Sequence, residues 1–189
     1  MLSAHAPLII LDRDGVINFD SDNYIKSPDE WQPIPGSLEA IARLTHAGWH
    51  VAVATNQSGV ERGLFDIDAL HAIHAKMIHA VTEKGGRIDA IFFCPHAPNT
   101  GCGCRKPAPG LLHDIAARYG RSLKGVPAVG DSLRDLQAAA ALECSPWLVL
   151  TGKGTDTREA NPTLPAGTRI ADDLEEVTHQ LLKTAQGPA

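Results

Sequence analysis

LIILDRDGVIN, residues 8–18, is a continuous apolar run that changes abruptly into acids and a glycine. Apolar residues without alternation are typical of a strand that is covered on both faces of a sheet. Further short apolar runs follow it, and we expect five strands at residues 8–11, 51–54, 91–93, 126–129 and 147–150. The pattern set by the first strand is therefore repeated along the chain.

Segments with helical spacing of apolar residues lie between these runs. We expect Ser37 to cap a helix that ends near Gly48, and Asp66 to cap a longer helix that stops at Gly85. Further helices are predicted at residues 111–119, 133–141 and 174–182. Alternating strands and helices predict an α/β fold with a doubly wound, Rossmann-like parallel sheet.

Length and composition indicate a single globular domain. The chain has 189 residues, and we expect one domain at 1–189 with a core over about 7–182 and a frayed tail at 183–189. The net charge of −5 argues against a nucleic-acid partner, because a polyanion is repelled. Residues 1–7 lack the basic start of a signal peptide, and no run is long enough to span a membrane. These features predict a cytoplasmic protein, in which thiols stay reduced.

The acids after the first strand are candidate catalytic groups. Ligands of parallel sheets bind beyond the carboxyl ends of the strands, where Asp12 and Asp14 lie. Asp12 can attack phosphorus as a nucleophile, and Asp14 can protonate the leaving oxygen and later activate water. Gly15 permits a sharp turn. The alternative for this motif alone is a solvated loop with two acids.

The second and third strands are followed by groups that suit an anion. Thr55 begins a turn whose hydroxyl and free N–H groups can cradle a phosphate. Lys106 follows the third strand and can offset the charge of the carboxylates and of a bound phosphate. An ordinary helix cap at Thr55 and a solvated basic pair at Arg105 and Lys106 are the alternatives.

The acid after the fourth strand suggests a metal. Asp131, Asp12 and the carbonyl oxygen of Asp14 would form an incomplete shell of hard oxygen ligands for Mg²⁺. We expect Asp135 to orient that shell without binding the ion. The alternative for Asp131 is the N-cap of the following helix.

The cysteines predict a second metal. Three thiolates and one imidazole within a short loop fill the four positions of a tetrahedral Zn²⁺ and leave none for water, so the expected site is structural, with ligands Cys94, His96, Cys102 and Cys104. Free thiols in a disordered loop are the alternative, and a Cys102–Cys104 disulfide is disfavoured by geometry. Cys144 is expected in the core.

Three histidines of the long helix, His71, His74 and His79, are expected on a solvated helix face. Only His71 and His74 share one side of the helix. A metal site there is the alternative that we disfavour.

Together, these strand-end residues resemble the haloacid dehalogenase superfamily of phosphatases over nearly the whole chain. Its four motifs are matched by Asp12 with Asp14, Thr55, Lys106, and Asp131 with Asp135. The resemblance implies a Mg²⁺-dependent phosphatase that forms an aspartyl-phosphate. The segment between the first two strands is too short to form a separate domain, so we expect little or no cap domain.

The zinc loop narrows the resemblance to the histidinol-phosphatase subfamily. Within it, the DRDGVIN, TNQSG and CRKP motifs are similar to those of enzymes that remove the C7 phosphate of a heptose 1,7-bisphosphate on the way to nucleotide-activated heptose. Histidinol phosphate is the alternative substrate, a nucleic-acid 3′-phosphatase is disfavoured, and a catalytically silent phosphosugar-binding protein is the alternative class. The expected partner is a small phosphorylated sugar, and the expected state is a monomer.

The same resemblance implies the substrate contacts. The expected binding residues lie in the loop after the first strand, in the turn after the second strand and before the catalytic lysine: Asp20, Ser21, Asp22, Asn23, Asn56, Gln57, Ser58 and Arg105. Many relatives carry lysine directly after the metal aspartate, where this chain has Ser132. Arg134 is a candidate substitute.

Overall fold

The computed structural model describes residues 6–161 and 163–185. Its six strands are β1 (Leu8–Leu11), β2 (His50–Asn56), β3 (Ala90–Cys94), β4 (Pro127–Gly130), β5 (Ser145–Val149) and β6 (Arg169–Ala171). They form one parallel sheet in the order β3-β2-β1-β4-β5-β6. The helices are α1 (Ser37–His46), α2 (Ile67–Glu83), α3 (Gly110–Tyr119), α4 (Leu133–Ala141), α5 (Gly154–Ala160) and α6 (Leu174–Ala185). The predicted doubly wound α/β fold is confirmed.

The two unpredicted elements are short and polar. The edge strand β6 spans three residues, of which only Ala171 is buried, so it lacks the apolar run that marks the other strands. Helix α5 spans seven residues and buries only Gly154 and Thr157. The predicted tail is wrong at its start, because α6 continues to Ala185; the rest of that tail lies outside the described residues.

The helix starts test the predicted caps. Asp66 caps α2 as expected, since its carboxylate accepts from the N–H of Ala69 at 2.8 Å. Ser37 does not cap α1: Gly36 holds that position, and the buried Ser37 hydroxyl donates to the carbonyl of Ile17 at 2.7 Å. The cap of α4 is Ser132, which rules out the N-cap alternative for Asp131.

The core lies on both faces of the sheet. Alternate residues of β1 point to opposite faces, so Ile9 and Leu11 join one apolar cluster while Leu8 and Ile10 join the other. Burying each of these side chains contributes about 1.5–3 kcal/mol. Cys144 lies in the second cluster, as predicted. The carboxyl ends of the strands therefore meet at one rim that is supported from both sides.

The rim is left open by the connection from β1 to β2. Residues 12–49 are all described, and their only helical elements are a 3-10 turn at Pro28–Glu30 and α1. This segment holds no separate folded cap, in agreement with the prediction. None of the described helices combines the length and the apolar character needed to cross a bilayer.

Candidate active site

The strand ends enclose a polar cleft of about 190 Å³. Residues that line it come from the loops after β1, β2, β3, β4 and β5 and include most of the predicted site: Asp12, Asp14, Asp20, Ser21, Asp22, Thr55, Asn56, Gln57, Ser58, Arg105, Lys106, Asp131 and Asp135. Asn23 is not among the lining residues; its N–H donates to the Ser21 hydroxyl at 3.2 Å. The fold thus brings groups from distant parts of the chain to one cleft.

Asp12 lies at the centre of this cleft. Its Oδ1 accepts from the N–H of Arg13 at 2.7 Å and lies 3.1 Å from Nζ of Lys106. Burial raises the pKa of Asp12 to about 8, and the charges of Asp135 and Asp131 add to that rise while Lys106 opposes it. The carboxylate is fixed in place but is surrounded by more negative than positive charge.

Lys106 bridges three strand ends. Its ammonium donates to the carbonyl of Ala54 at 2.7 Å and pairs with Asp12 at 3.1 Å and with Asp135 at 2.6 Å. Although burial lowers the pKa of Lys106, the two carboxylates raise it above its ordinary value. The side chain of Asn56 holds the Lys106 backbone from both sides, accepting from its N–H and donating to its carbonyl at 3.1 Å each. Lys106 is therefore a charged, fixed group beside the candidate nucleophile.

Asp14 is held by a full set of donors. Asn18 donates to its Oδ1 at 2.9 Å, Gln57 donates to its Oδ2 at 2.8 Å, and the guanidinium of Arg13 pairs with both oxygens. Burial acts to raise the pKa of Asp14, but the Arg13 charge and these hydrogen bonds together lower it below its ordinary value. The carboxylate is ionised and its plane is fixed.

The turn after β2 carries the residues of the predicted anion cradle. Thr55 is buried at the end of the strand, and its hydroxyl accepts from the side-chain amide of Gln57 at 2.8 Å. Gln57 thus joins Thr55 to Asp14, and its side chain is engaged by protein groups. Ser58 lies beside them in the cleft.

Asp131 is enclosed by two glycines. A Cβ on Gly15 would lie 2.0 Å from Oδ2 of Asp131, and a Cβ on Gly152 would lie 2.2 Å from the same atom. Both glycines also have positive φ, at 79° and 56°. The N–H of Lys153 donates to this oxygen at 2.8 Å. Only glycine fits at either position. Gly15 is therefore needed for the predicted turn and also for the space that Asp131 occupies.

The acids of this cleft fit a divalent cation. One oxygen from each of Asp12, Asp131 and Asp135 lies within 4.8 Å of the others, and we call these residues the carboxylate cluster. Burial and Asp135 raise the pKa of Asp131 to about 7. Such shifts show that negative charge is crowded here without enough compensation, which a Mg²⁺ ion would supply. Asp135 also accepts from the Ser132 N–H and hydroxyl at 3.0 and 2.5 Å, which suits a supporting role.

The predicted zinc ligands meet in a second group, the cysteine cluster of Cys94, His96, Cys102 and Cys104. Their ligand atoms all lie within 4.8 Å of one another, and Cys94 Sγ is 3.6 and 3.2 Å from the sulfurs of Cys102 and Cys104. Zn–S bonds of about 2.3 Å at tetrahedral angles place sulfurs about 3.8 Å apart. None of the four cysteines forms a disulfide, in agreement with the expectation for Cys102 and Cys104. The donor set therefore fits Zn²⁺ held by Nδ1 of His96 and three sulfurs.

The cysteine cluster directs its loop toward the cleft. Arg105 follows Cys104 directly and donates to the carbonyl of His96 at 3.1 Å. Glu61, in the loop after β2, accepts from the Thr100 hydroxyl at 2.6 Å and from the N–H of Ala97. The loop that carries Arg105 and Lys106 is thus tied to the loop that carries Thr55.

Sequence reasoning missed three residues of this region. Lys153, after β5, pairs with Asp20 at 3.0 Å and with Asp22 at 3.3 Å, so it fixes the loop after β1. Arg13 turns inward between the two candidate catalytic acids and is 1% exposed. His74 is buried, so its predicted solvated position is wrong. Its spacing from Leu70 and Met77 on the apolar stripe of α2 was the available signal.

Known proteins provide an independent comparison. The HAD-hydrolase-like family model matches residues 103–177. A D-glycero-beta-D-manno-heptose-1,7-bisphosphate 7-phosphatase from Bordetella bronchiseptica is 63% identical over 178 residues, covering 94% of this chain and 99% of the relative. The enzyme of that name from Pseudomonas aeruginosa is 57% identical over 176 residues, covering 93% and 98%.

Solved structures agree with this similarity. The crystal structure of D,D-heptose 1,7-bisphosphate phosphatase from B. bronchiseptica, complexed with magnesium and phosphate, matches with a TM-score of 0.92 and 62% identity, covering 94% of this chain and 99% of that one. The corresponding structure from Burkholderia thailandensis matches with a TM-score of 0.75 and 52% identity, covering 93% and 98%.

Proposed function

Because this chain belongs to the D-glycero-beta-D-manno-heptose-1,7-bisphosphate 7-phosphatase family, we propose that it hydrolyses the C7 phosphate of that heptose bisphosphate. It is then a Mg²⁺-dependent phosphomonoester hydrolase. The observation that carries the proposal is the meeting of Asp12, Asp14, Lys106 and Asp131 in one open cleft.

We propose that the first half-reaction phosphorylates Asp12. Its carboxylate attacks phosphorus in line with the C7 oxygen, and the bond between phosphorus and that oxygen breaks. The charge of the bound phosphate favours the protonated form of Asp14, which takes up a proton as the substrate binds. Asp14 then gives this proton to the departing oxygen, so the heptose leaves as an alcohol. Thr55 and the N–H groups of its turn bind phosphoryl oxygens, while Lys106 offsets their charge.

The second half-reaction returns the enzyme to its starting state. Asp14, now ionised, takes a proton from a water molecule that attacks the phosphorus of the aspartyl-phosphate. The bond between phosphorus and Asp12 breaks, and inorganic phosphate leaves. The donors around Asp14 favour its ionised form, which suits the base role, and the proton that it takes from water returns to solvent once phosphate has left.

The Mg²⁺ site of the carboxylate cluster would be held by Asp12 and Asp131 with the carbonyl of Asp14, and Asp135 would orient them. When bound, the ion neutralises phosphate charge and orients the phosphoryl group. The Zn²⁺ site of the cysteine cluster is structural. A closed ligand set has no position for a reacting group.

Arg105 and Arg134 support a bisphosphate over a monophosphate. Both line the main cleft and also an adjoining pocket of about 210 Å³ beside the cysteine loop. Neither pairs with an acid of the described residues, so both are available to an anion. We propose that Arg105 holds the phosphate that is not cleaved and that Arg134 supplies the positive charge that Ser132 lacks. Lys153 would place Asp20 and its loop against the sugar hydroxyls.

The test is a comparison of phosphate release from the beta and alpha anomers of the bisphosphate, the heptose 7-monophosphate and histidinol phosphate. We expect the beta bisphosphate to react fastest, with ³¹P NMR showing loss of the C7 signal. In Arg105→Ala, kcat/KM for the bisphosphate should fall about tenfold to hundredfold, with little change for the monophosphate. Faster turnover of histidinol phosphate would contradict the proposal.

Cytoplasmic location and a monomeric state belong to the same proposal. Free thiols in the cysteine cluster suit a reducing compartment. Sedimentation analysis of the purified protein tests the monomer.

A further inference from the structure

We infer that Arg13 and His74 form a positioning pair that sets the orientation of Asp14, and this inference rests on the proposed acid–base role of that carboxylate. Neither residue touches the substrate position in this scheme. The Arg13 guanidinium pairs with Asp14, and His74 joins Asp14 through Arg13, so the pair acts through that carboxylate.

Arg13 is an unusual residue to find buried. Its neighbours in sequence, Asp12 and Asp14, face the cleft, whereas Arg13 is 1% exposed. A buried guanidinium is costly unless its N–H groups are paired. Here Nε donates to Oδ1 of Asp14 at 3.0 Å, and Nη2 donates to both Asp14 oxygens at 2.9 and 3.0 Å. Such forked pairing fixes the plane of the carboxylate as well as its distance.

His74 completes the partners of this guanidinium. Nη1 of Arg13 lies 3.3 Å from Nε2 of His74, which must be the acceptor because a guanidinium only donates. The imidazole is therefore neutral and carries its proton on Nδ1. Burial and the Arg13 charge lower the pKa of His74 to about 3, in agreement with that state. Without this acceptor, one end of the guanidinium would be buried and unpaired.

The histidine is itself fixed by the core. It projects from α2 at 6% exposure, and its ring packs against Phe93 of β3 with centroids 6.1 Å apart. Gln57 closes the other side, since it accepts from Arg13 at 3.2 Å and donates to Asp14 at 2.8 Å. The orientation of Asp14 is thus set by contacts that lead back to helix α2 and strand β3.

This arrangement has a chemical signature. A positioned acid matters most when the leaving oxygen is a poor leaving group, such as a sugar alkoxide. The nitrophenolate of p-nitrophenyl phosphate leaves without a proton. Loss of the positioning pair should therefore slow the sugar substrate far more than the aryl substrate, which a general loss of structure would not do.

The experiment measures kcat and KM of wild type, His74→Leu and His74→Gln with heptose bisphosphate and with p-nitrophenyl phosphate. In His74→Leu, we expect kcat/KM, which reports the first half-reaction, to fall about tenfold or more for the sugar and to change little for the aryl substrate. His74→Gln offers an oxygen acceptor to Arg13 and should restore most of the rate. His71→Leu, an exposed histidine of the same helix, is the matched control and should behave as wild type.

A double-mutant cycle with Asp14→Asn decides whether His74 acts through Asp14. In the Asp14→Asn background, His74→Leu should cost little further sugar turnover. Equal losses of kcat/KM with both substrates, or full additivity in the cycle, would overturn the inference. If the wild type fails on heptose bisphosphate, the proposed function is wrong, and the pair is then tested with whichever alkyl phosphate the enzyme hydrolyses best.

Discussion

The carboxylate cluster and the cysteine cluster lie on the same rim but differ in charge and in closure. The first gathers three acids around one buried lysine, and two of its carboxyl groups have raised pKa values. The second offers three thiols and one imidazole, which together would occupy all four positions of a tetrahedral Zn²⁺ ion. The comparison teaches that an incomplete shell keeps room for substrate, whereas a complete shell only fixes a loop.

The largest expected effect comes from the open cluster. Asp12→Asn removes the nucleophile while keeping nearly the same shape, so kcat should fall on the order of 10⁴-fold or more. The thermal unfolding midpoint should fall little or even rise, because a crowded buried charge is removed. Steady-state phosphate release and circular dichroism measure the two effects. Substantial turnover in the variant would show that the carboxylate is not the nucleophile.

An intermediate effect is expected from the closed cluster. Cys104→Ala removes one zinc ligand, and the loop that carries Arg105 and Lys106 should shift. A displacement of about 1 Å at catalytic groups costs about 10²-fold in kcat. Metal analysis should show loss of zinc, and the unfolding midpoint should fall together with activity.

Cys144→Ala is the matched control, because that thiol lies in the core and away from the cluster. It should keep zinc and kcat. If Cys104→Ala lost zinc but kept wild-type activity, the loop would not depend on the metal for its position.

The smallest expected effect is a dependence of Mg²⁺ stabilisation on pH. Because Asp12 and Asp131 have pKa values near 8 and 7 in the metal-free fold, against 3.8 ordinarily, the fold binds more protons than the unfolded chain. Metal-free stability should therefore decrease as the pH rises from about 4 to 8.

Mg²⁺ binds the ionised carboxylates, so the increase in unfolding midpoint that it causes should grow over the same pH interval. At saturating metal we expect the unfolding midpoint to rise by about 5 °C at pH 8 and by less at pH 6. Differential scanning fluorimetry with and without EDTA measures this increase. Asp131→Asn should abolish most of the increase. A metal effect that is the same at both pH values would contradict the assignment of these raised pKa values.

The parts of the site that could be predicted are those marked by a local sequence pattern. Asp12, Thr55, Lys106 and Asp131 each follow an apolar run, and a parallel sheet places the ends of such runs together. The cysteine cluster was predictable from composition and spacing alone. The alternation of strands and helices predicted a parallel sheet, whereas the order β3-β2-β1-β4-β5-β6 is known only from the structure.

Other residues were hidden because tertiary packing determines their surroundings. Arg13 is charged and adjacent to two acids that face the cleft, so nothing local shows that it turns inward. Lys153 reaches Asp20 only because the β5 loop folds over the first loop. The short strand β6 lacks an apolar pattern because it is the edge of the sheet, and the short helix α5 buries only two residues.

The two glycines against Asp131 bear on how such a protein can change over generations. Any side chain at Gly15 or Gly152 would collide with Asp131, so substitutions at these two positions are excluded. The neighbouring loop that holds Asp20 and Asp22 is partly exposed and is tied to Lys153 by two ion pairs. New substrate preferences can arise there by simple substitution, while the chemistry behind it stays the same.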